Sequence, residues 1–203
     1  MLMDAKERTK QHFNETASDY NNSSDGKFVE PMYEIIVEEI SKLQSGRILD
    51  VGCGNGNLFT YLAEDKYELF GIDFCENMIA EAKRNCRNAI FSVADAENIP
   101  FDDDSFDIIV CNASFHHYVH PNKVLKEMHR VLKDGGKLLI GDPYFSTFAR
   151  PLMNVLVKLS NEGDYHFYGL KEMKKLFVKN GFRPVSSTVT GEHRAFHIAE
   201  KQV

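Results

Sequence analysis

The residues with the clearest chemical potential form one short run, Asp50-Val51-Gly52-Cys53-Gly54-Asn55-Gly56. The preceding Ile48 and Leu49 are apolar, as in a short strand of a parallel sheet that is covered on both faces. Glycine tolerates positive φ and has no Cβ, so the run can turn sharply and let a ligand approach the backbone. Leu58 to Leu62 then return to helical spacing. A strand, a glycine loop and a helix start in this order suit a nucleotide-like ligand.

The spacing of the glycines argues against a dinucleotide. The dinucleotide fingerprint is G-x-G-x-x-G, whereas this chain has G-x-G-x-G directly after Asp50. A carboxylate in this place repels a pyrophosphate and attracts an ammonium or sulfonium group. An NAD-linked oxidoreductase is therefore the weaker alternative, and we expect a ligand with positive charge near the loop.

A second acid, Asp73, lies 23 residues after Asp50, at the end of a predicted strand over 67–73. In nucleotide-binding βαβ units, an acid in this position accepts hydrogen bonds from the ribose hydroxyls. The alternative is that Asp73 caps the next helix. The adjacent Phe74 could cover one face of an adenine, and Met78 could pack beside it or belong to the core.

Three motifs together resemble one family. Residues 50–56 resemble motif I of the class I S-adenosylmethionine (SAM)-dependent methyltransferases. Residues 98–107, N-I-P-F-D-D-D-S-F-D, resemble the L-P-F-x-D-x-S-F-D signature of the small-molecule, UbiE-like branch (methyltransferase type 11). Residues 131–140, V-L-K-D-G-G-K-L-L-I, resemble the helix-to-strand turn L-K-P-G-G of the family, with Asp134 in place of the usual proline.

The resemblance implies an α/β, Rossmann-like fold: a seven-stranded, mostly parallel sheet with an antiparallel last strand and helices on both faces. It implies SAM as cofactor and S-adenosylhomocysteine (SAH) as product. It assigns Tyr20 to a lid, Asp95 to the adenine amino group, Ala96 to a backbone contact with the ring, and Asn112 to the methionine moiety. The complete predicted cofactor-binding set is Tyr20, Asp50, Gly52, Gly54, Gly56, Asp73, Phe74, Met78, Asp95, Ala96 and Asn112.

Three histidines follow the fourth predicted strand: His116, His117 and His120. Imidazoles close together suit zinc, but no cysteine or acid at matching spacing completes a tetrahedral set, so we predict no metal. A histidine here could act as a general base, because its pKa is near neutrality. His117 is the candidate, and capping or packing is the alternative. A base is needed only when the acceptor must lose a proton.

The length of 203 residues predicts one domain over 1–203. Residues 13–20 resemble an F-x-x-x-A-x-x-Y pattern of the same family, which implies that residues 1–27 form a lid over the cofactor, with a frayed terminus as the alternative. Residues 21–26 are predicted to be a loop. Residues 143–168 are predicted to be an insertion that helps to build the acceptor pocket. Apolar spacing predicts a helix over 28–44 and strands over 67–73, 89–95, 106–112, 137–141, 182–190 and 194–201.

The composition limits the kinds of partner that we expect the protein to bind. The formal net charge of -6 gives no general affinity for nucleic acid or membranes, and no apolar run approaches the length of a membrane span. The four cysteines show no C-x-x-C pairing, which favours reduced thiols and a cytoplasmic location. The sequence thus predicts methyl transfer from SAM to a small-molecule acceptor by direct displacement. The remaining alternative is a SAM-binding protein without catalysis, for example a partner subunit.

Overall fold

The computed structural model describes residues 5–63, 65–157, 163–191 and 193–202. Its strands are β1 (Gly46–Val51), β2 (Tyr67–Asp73), β3 (Ala89–Val93), β4 (Phe106–Asn112), β5 (Leu132–Pro143), β6 (Phe182–Val189) and β7 (Arg194–Lys201). Its α-helices are α1 (Ala5–Thr16), α2 (Ser24–Ser41), α3 (Glu76–Asn85), α4 (Pro121–Val131), α5 (Arg150–Leu156) and α6 (Leu170–Lys179). Short 3-10 helices cover Ala17–Asn22, Asn57–Tyr61 and Phe115–His117.

The seven strands form one sheet in the order β3-β2-β1-β4-β5-β7-β6. The pairs from β3 to β5 are parallel, and β7 runs antiparallel between β5 and β6. This confirms the predicted fold, including the antiparallel last strand. The chain proceeds from β1 to one side and then crosses to β4 on the other, so a crevice opens beyond the carboxyl ends of β1 and β4.

Helices cover both faces of the sheet, which explains why the central strands are apolar at consecutive positions. Leu49 of β1 and Ile109 of β4 belong to the core under α4 and α6. Their neighbours Ile48 and Ile108 belong to the core under α2 and α3. Successive side chains of a strand point to opposite faces, and here both faces are buried.

The N-terminal region differs from the predicted loop over 21–26. The 3-10 helix extends through Asn22, and α2 begins at Ser24 because the Ser23 hydroxyl caps it by accepting a hydrogen bond from the Gly26 amide (3.1 Å). Gly26 permits this tight entry, since a Cβ there would lie 2.1 Å from the Tyr20 carbonyl oxygen. The helix predicted over 28–44 is therefore Ser24–Ser41.

The bounds of two strands also differ from the predicted ones. β5 is longer than the predicted 137–141, because β7 pairs with it as far as Pro143 and Leu132 pairs with Phe106 of β4. β3 ends at Val93, so Asp95 lies in the following loop. Among the described parts of the chain, no helix combines the length and the apolar character needed to cross a bilayer.

We predict that Gly71→Ala, in the middle of β2, destabilises the protein by about 1–3 kcal/mol through overpacking. A Cβ at Gly71 would lie 2.7 Å from the Phe91 ring and 2.9 Å from Cys53 Sγ. Chemical denaturation measures the loss. The double variant with Phe91→Leu should recover part of it, and equal stability of Gly71→Ala and the parent protein would contradict this packing.

Candidate active site

A cleft with about 840 Å³ of empty volume, part of it open to solvent, lies at the carboxyl edge of the sheet. Every residue of the predicted cofactor-binding set except Asp50 and Gly56 lines it, and so does His117. Four residues of the N-terminal segment also line it: Lys6, Thr9, Phe13 and Tyr20. The fold therefore brings together residues that are spread over more than a hundred positions of sequence.

Two glycines of the loop have different roles. Gly52 allows another segment to approach closely, and Gly54 leaves open space. Gly52 has a φ of +76°, and a Cβ there would lie 2.0 Å from the Ser114 hydroxyl oxygen. Gly54 has a φ of +52°, and no described atom lies within 4 Å of the place of its Cβ. The amides of Gly52 and Cys53 both donate to the Ile72 carbonyl of β2, at 2.8 and 3.0 Å. These bonds fix the loop, while Gly54 leaves room in the cleft.

Asp50 and Gly56 lie behind the cleft wall. A Cβ at Gly56 would lie 2.8 Å from the Phe91 ring, so this glycine lets β3 approach the loop rather than lining the cleft. The Asp50 side chain is 3% exposed, and one of its oxygens finds no hydrogen-bond partner among the described residues. Burial, assisted by the Asp73 charge, raises the pKa of Asp50 to about 8.

Asp73 joins the loop to the start of α3. Its carboxylate accepts hydrogen bonds from the amides of Gly54 (2.9 Å) and Cys75 (2.8 Å). Burial raises the pKa of Asp73, although these backbone bonds work against the rise. The bond to Cys75 reaches the residue just before α3 and no amide of its first turn, and α3 has no side-chain cap among the described residues. Each carboxylate oxygen has a second lone pair, so Asp73 can also accept hydrogen bonds from a ligand in the cleft.

The far end of the cleft is built by Phe74, Met78, Asp95 and Ala96. Met78 is fully buried, so it serves the core as well as the cleft wall. The Lys6 ammonium bonds to the Asp95 carboxylate and lies 5.2 Å from the centre of the Phe74 ring. Lys6 thus holds the acceptor oxygen that the sequence assigned to an adenine amino group, and only the tertiary placement of α1 reveals it.

The N-terminal segment lies over the cleft and contacts Gly163, His117 and the glycine loop. The Thr9 hydroxyl donates to the Gly163 carbonyl (2.8 Å), in the predicted insertion. The Phe13 ring meets the His117 ring edge-on at 5.2 Å between centroids. Asn21 accepts a hydrogen bond from Asn55 of the glycine loop (2.8 Å). This placement is the one expected of a lid, whose movement stays a prediction.

At the near end, Asn112 at the end of β4 is buried, and its side-chain oxygen has no hydrogen-bond partner in the described part of the chain. Ser114 and Tyr118 share a hydrogen bond of 2.8 Å between their hydroxyl oxygens, and both line the cleft. Sequence reasoning missed this pair, because no spacing rule distinguishes it from ordinary loop residues.

The histidines form a buried cluster with two acids that the sequence did not single out. His116 Nδ1 lies 2.8 Å from Asp142 Oδ1, and His116 Nε2 lies 3.2 Å from Asp164 Oδ1. His117 Nδ1 lies 3.3 Å from the same Asp164 oxygen. His120, by contrast, is exposed. Both acids are distant from the histidines along the chain. Asp142 lies on β5, and Asp164 comes shortly after residues 158–162, a stretch outside the described residues.

The two neighbouring histidines titrate in opposite directions. Burial alone would lower the pKa of His116, but the Asp142 and Asp164 carboxylates raise it to about 10. Burial and the His116 charge lower the pKa of His117 to about 3. His117 is therefore a neutral imidazole at neutral pH. As a base it is weak in the ligand-free protein, since proton transfer is most effective when the pKa of the base lies near the working pH.

Comparison with known proteins agrees with this geometry. Residues 49–140 match the family described as a methyltransferase domain. A ubiquinone/menaquinone biosynthesis C-methyltransferase from Citrifermentans bemidjiense is 37% identical over 149 residues, which cover 69% of this chain and 59% of that protein. A demethylmenaquinone methyltransferase from Staphylococcus epidermidis is 28% identical over 195 residues, covering 82% and 80% respectively. Residues 49–140 are thus similar to a methyltransferase domain, in agreement with the resemblance to the class I SAM-dependent methyltransferases.

A solved structure has the same fold as this chain. Magnesium protoporphyrin IX methyltransferase from Synechocystis, with SAH bound, superimposes with a TM-score of 0.77 at 18% identity, covering 98% of this chain and all of that one. At this identity the likeness concerns the fold. The chain spans 59% of the length of the Citrifermentans relative, so what that whole protein does is not transferred here.

The residues of the cleft fit SAM. Asn112, which lines the cleft, and Asp50, which lies behind its wall, each keep a buried oxygen without a partner in the described structure. Gly54 leaves open space where a side chain would stand. Asp73 presents a carboxylate beside that space. A cation near Asp50 would offset the cost of its burial as a charged group.

We predict that Asp50→Asn stabilises the ligand-free protein increasingly as the pH rises from about 4 to about 8. Over this window the folded protein keeps an Asp50 proton that the unfolded chain has released, because the pKa is about 8 in the fold against an ordinary 3.8. Asparagine removes this linkage, so its advantage in free energy of unfolding should grow by up to about 5 kcal/mol. Denaturant unfolding at several pH values measures it, and a pH-independent difference would contradict the assignment.

Proposed function

We propose that the protein transfers a methyl group from SAM to a small-molecule acceptor, releasing SAH. The observation that carries the proposal is the single cleft at the carboxyl ends of β1, β2 and β4, which collects nearly all of the predicted cofactor residues. In this arrangement the Asp73 carboxylate accepts hydrogen bonds from the ribose hydroxyls. Phe74, Asp95 and Ala96 surround the adenine. Asn112 holds the methionine moiety near the acceptor.

The sulfonium of SAM supplies an intrinsically reactive methyl group. The task of the protein is then to align the acceptor atom with the methyl carbon and sulfur, and to exclude water. Such alignment can supply up to about 7–11 kcal/mol of barrier reduction. The N-terminal segment, which lies over the cleft through Phe13 and Tyr20, is proposed to exclude the water. Asp50 favours the cationic cofactor over its neutral product.

The acceptor is proposed to be an apolar, aromatic small molecule such as a reduced quinone. The names of the two relatives support this class, and so do the rings on the acceptor side. Phe13 lies against His117 and both line the cleft, while Phe167 packs behind His116, at a centroid distance of 5.8 Å, outside the cleft lining. Neither nucleic acid nor a membrane is proposed as a partner. The four free cysteines fit a reducing, cytoplasmic location.

We predict that two variants separate ribose binding from charge recognition. Asp73→Ala should weaken SAM and SAH alike, by about tenfold or more, because both carry the ribose. Asp50→Asn should weaken SAM more than SAH, because only SAM carries the sulfonium charge. Calorimetric titration of each protein with SAM, SAH and NAD measures this. Unchanged SAM affinity in Asp73→Ala would refute the ribose assignment, and binding of NAD alone would favour the oxidoreductase alternative.

We predict that His117→Ala lowers turnover on a reduced demethylated quinone at least tenfold while SAM affinity stays the same, since His117 lies at the acceptor end of the cleft. His120→Ala is the matched control, because His120 is an exposed histidine of the same loop. Release of SAH measures turnover. Full activity of His117→Ala would remove His117 from the chemistry, and SAM binding without turnover on any acceptor would favour the non-catalytic alternative.

A further inference from the structure

The cluster of His116, His117 and Asp164 lies at the edge of the cleft, and the proposed methyl transfer does not explain its geometry. All three side chains are largely buried, with exposures of 6%, 9% and 17%. Each offers one ligand atom, and these atoms all lie within 4.8 Å of one another. We propose that they bind one divalent transition-metal ion such as zinc or cobalt.

Two of the distances between the ligand atoms match a tetrahedral ion. Asp164 Oδ1 lies 3.2 Å from His116 Nε2 and 3.3 Å from His117 Nδ1. Zinc holds imidazole nitrogen at about 2.0–2.1 Å and carboxylate oxygen at about 2.0–2.2 Å, so neighbouring ligand atoms of a tetrahedron stand roughly 3.3 Å apart. Asp164 thus stands at this spacing from both histidines, and the three ligand atoms lie within 4.8 Å of one another.

His117 provides the second, independent observation. Its Nδ1 atom is buried and has no hydrogen-bond partner in the described structure, although it lies 3.3 Å from Asp164 Oδ1. A proton shared by His116 and Asp164 satisfies that pair and leaves His117 Nδ1 unmatched. A metal ion in the same place bonds to all three atoms, and it removes the cost of a buried nitrogen without a partner.

The surroundings hold the ligands in place. Asp142 Oδ1 lies 2.8 Å from His116 Nδ1, so it fixes the ring and leaves Nε2 for an ion, as carboxylates behind metal-binding histidines do. The amides of Tyr165 and His166 both donate to the His116 carbonyl at 3.0 Å. These two bonds attach the segment that carries Asp164 to the segment that carries the histidines.

The donor set selects the kind of ion. Two imidazole nitrogens and one carboxylate oxygen suit zinc, cobalt or iron(II) better than magnesium or calcium, which prefer oxygen ligands alone. Three protein ligands leave a fourth position open, as in catalytic zinc sites. Because His117 lines the cleft, an acceptor oxygen could occupy this position. That consequence depends on the proposed function, whereas the metal site itself does not.

The test uses the full chain without a histidine tag, after removal of metals with EDTA. Titration with Co²⁺ should give visible absorption bands of a tetrahedral nitrogen–oxygen site that saturate at one equivalent, and Zn²⁺ should abolish them. Asp164→Asn keeps the shape of the side chain and should weaken Co²⁺ binding at least tenfold, as should His117→Ala. His120→Ala and His166→Ala are matched controls that should bind Co²⁺ as the parent protein does.

Two results would overturn the metal site: no saturable cobalt spectrum in the parent protein, or equal Co²⁺ affinity in Asp164→Asn and the parent. Thermal unfolding with and without Zn²⁺ provides the folding control. Zinc should raise the Tm of the parent protein and of the control variants, but not that of Asp164→Asn. SAM titration of the same samples separates a failed metal site from a failed cofactor site.

Discussion

The structure depends on a carboxyl group, Asp50, buried at the end of its central strand. β1 is covered on both faces, so the last polar residue before the glycine loop has no route to solvent. Without a ligand, burial and the Asp73 charge hold its pKa near 8, and one oxygen remains without a partner in the described structure. Such a group is costly in the absence of a cation. This cost is the physical reason why the cleft suits SAM better than a pyrophosphate.

The loop that follows is fixed by what surrounds it. The Ile72 carbonyl accepts both amides of the turn, and Ser114 fills the place of a Gly52 side chain. Cofactor residues on β1, β2 and β4 are therefore held relative to one another by the sheet itself. The acceptor side is different, because it is closed by contacts between distant segments, such as the bond from Thr9 to Gly163. Those contacts lie outside the hydrogen bonds of the sheet.

This difference between the cofactor side and the acceptor side explains which parts of the site could be predicted from the sequence. The bounds of β2 and β4 were predicted residue for residue, because each is a short apolar run that ends at a polar residue. The cofactor residues follow such strand ends, so parallel topology alone brings them together. Lys6 and Asp164 could not be found in this way. Their places depend on where α1 and residues 163–169 lie against the rest of the fold, which no local pattern encodes.

The histidine cluster could not be predicted from the sequence either, and it affects the chemistry of the site. The spacing of residues along the chain predicted no metal, because no cysteine or acid lies at a matching distance from the histidines. The fold supplies Asp164 from 47 residues beyond His117. His117 Nδ1 has one lone pair, so it cannot bind an ion and accept a proton from the acceptor at the same time. If an ion is bound, activation of an acceptor hydroxyl passes to the ion, which lowers the pKa of a bound oxygen group. The buried Nδ1 atom of His117, which has no hydrogen-bond partner in the described structure and lies 3.3 Å from Asp164 Oδ1, is placed to be such a ligand.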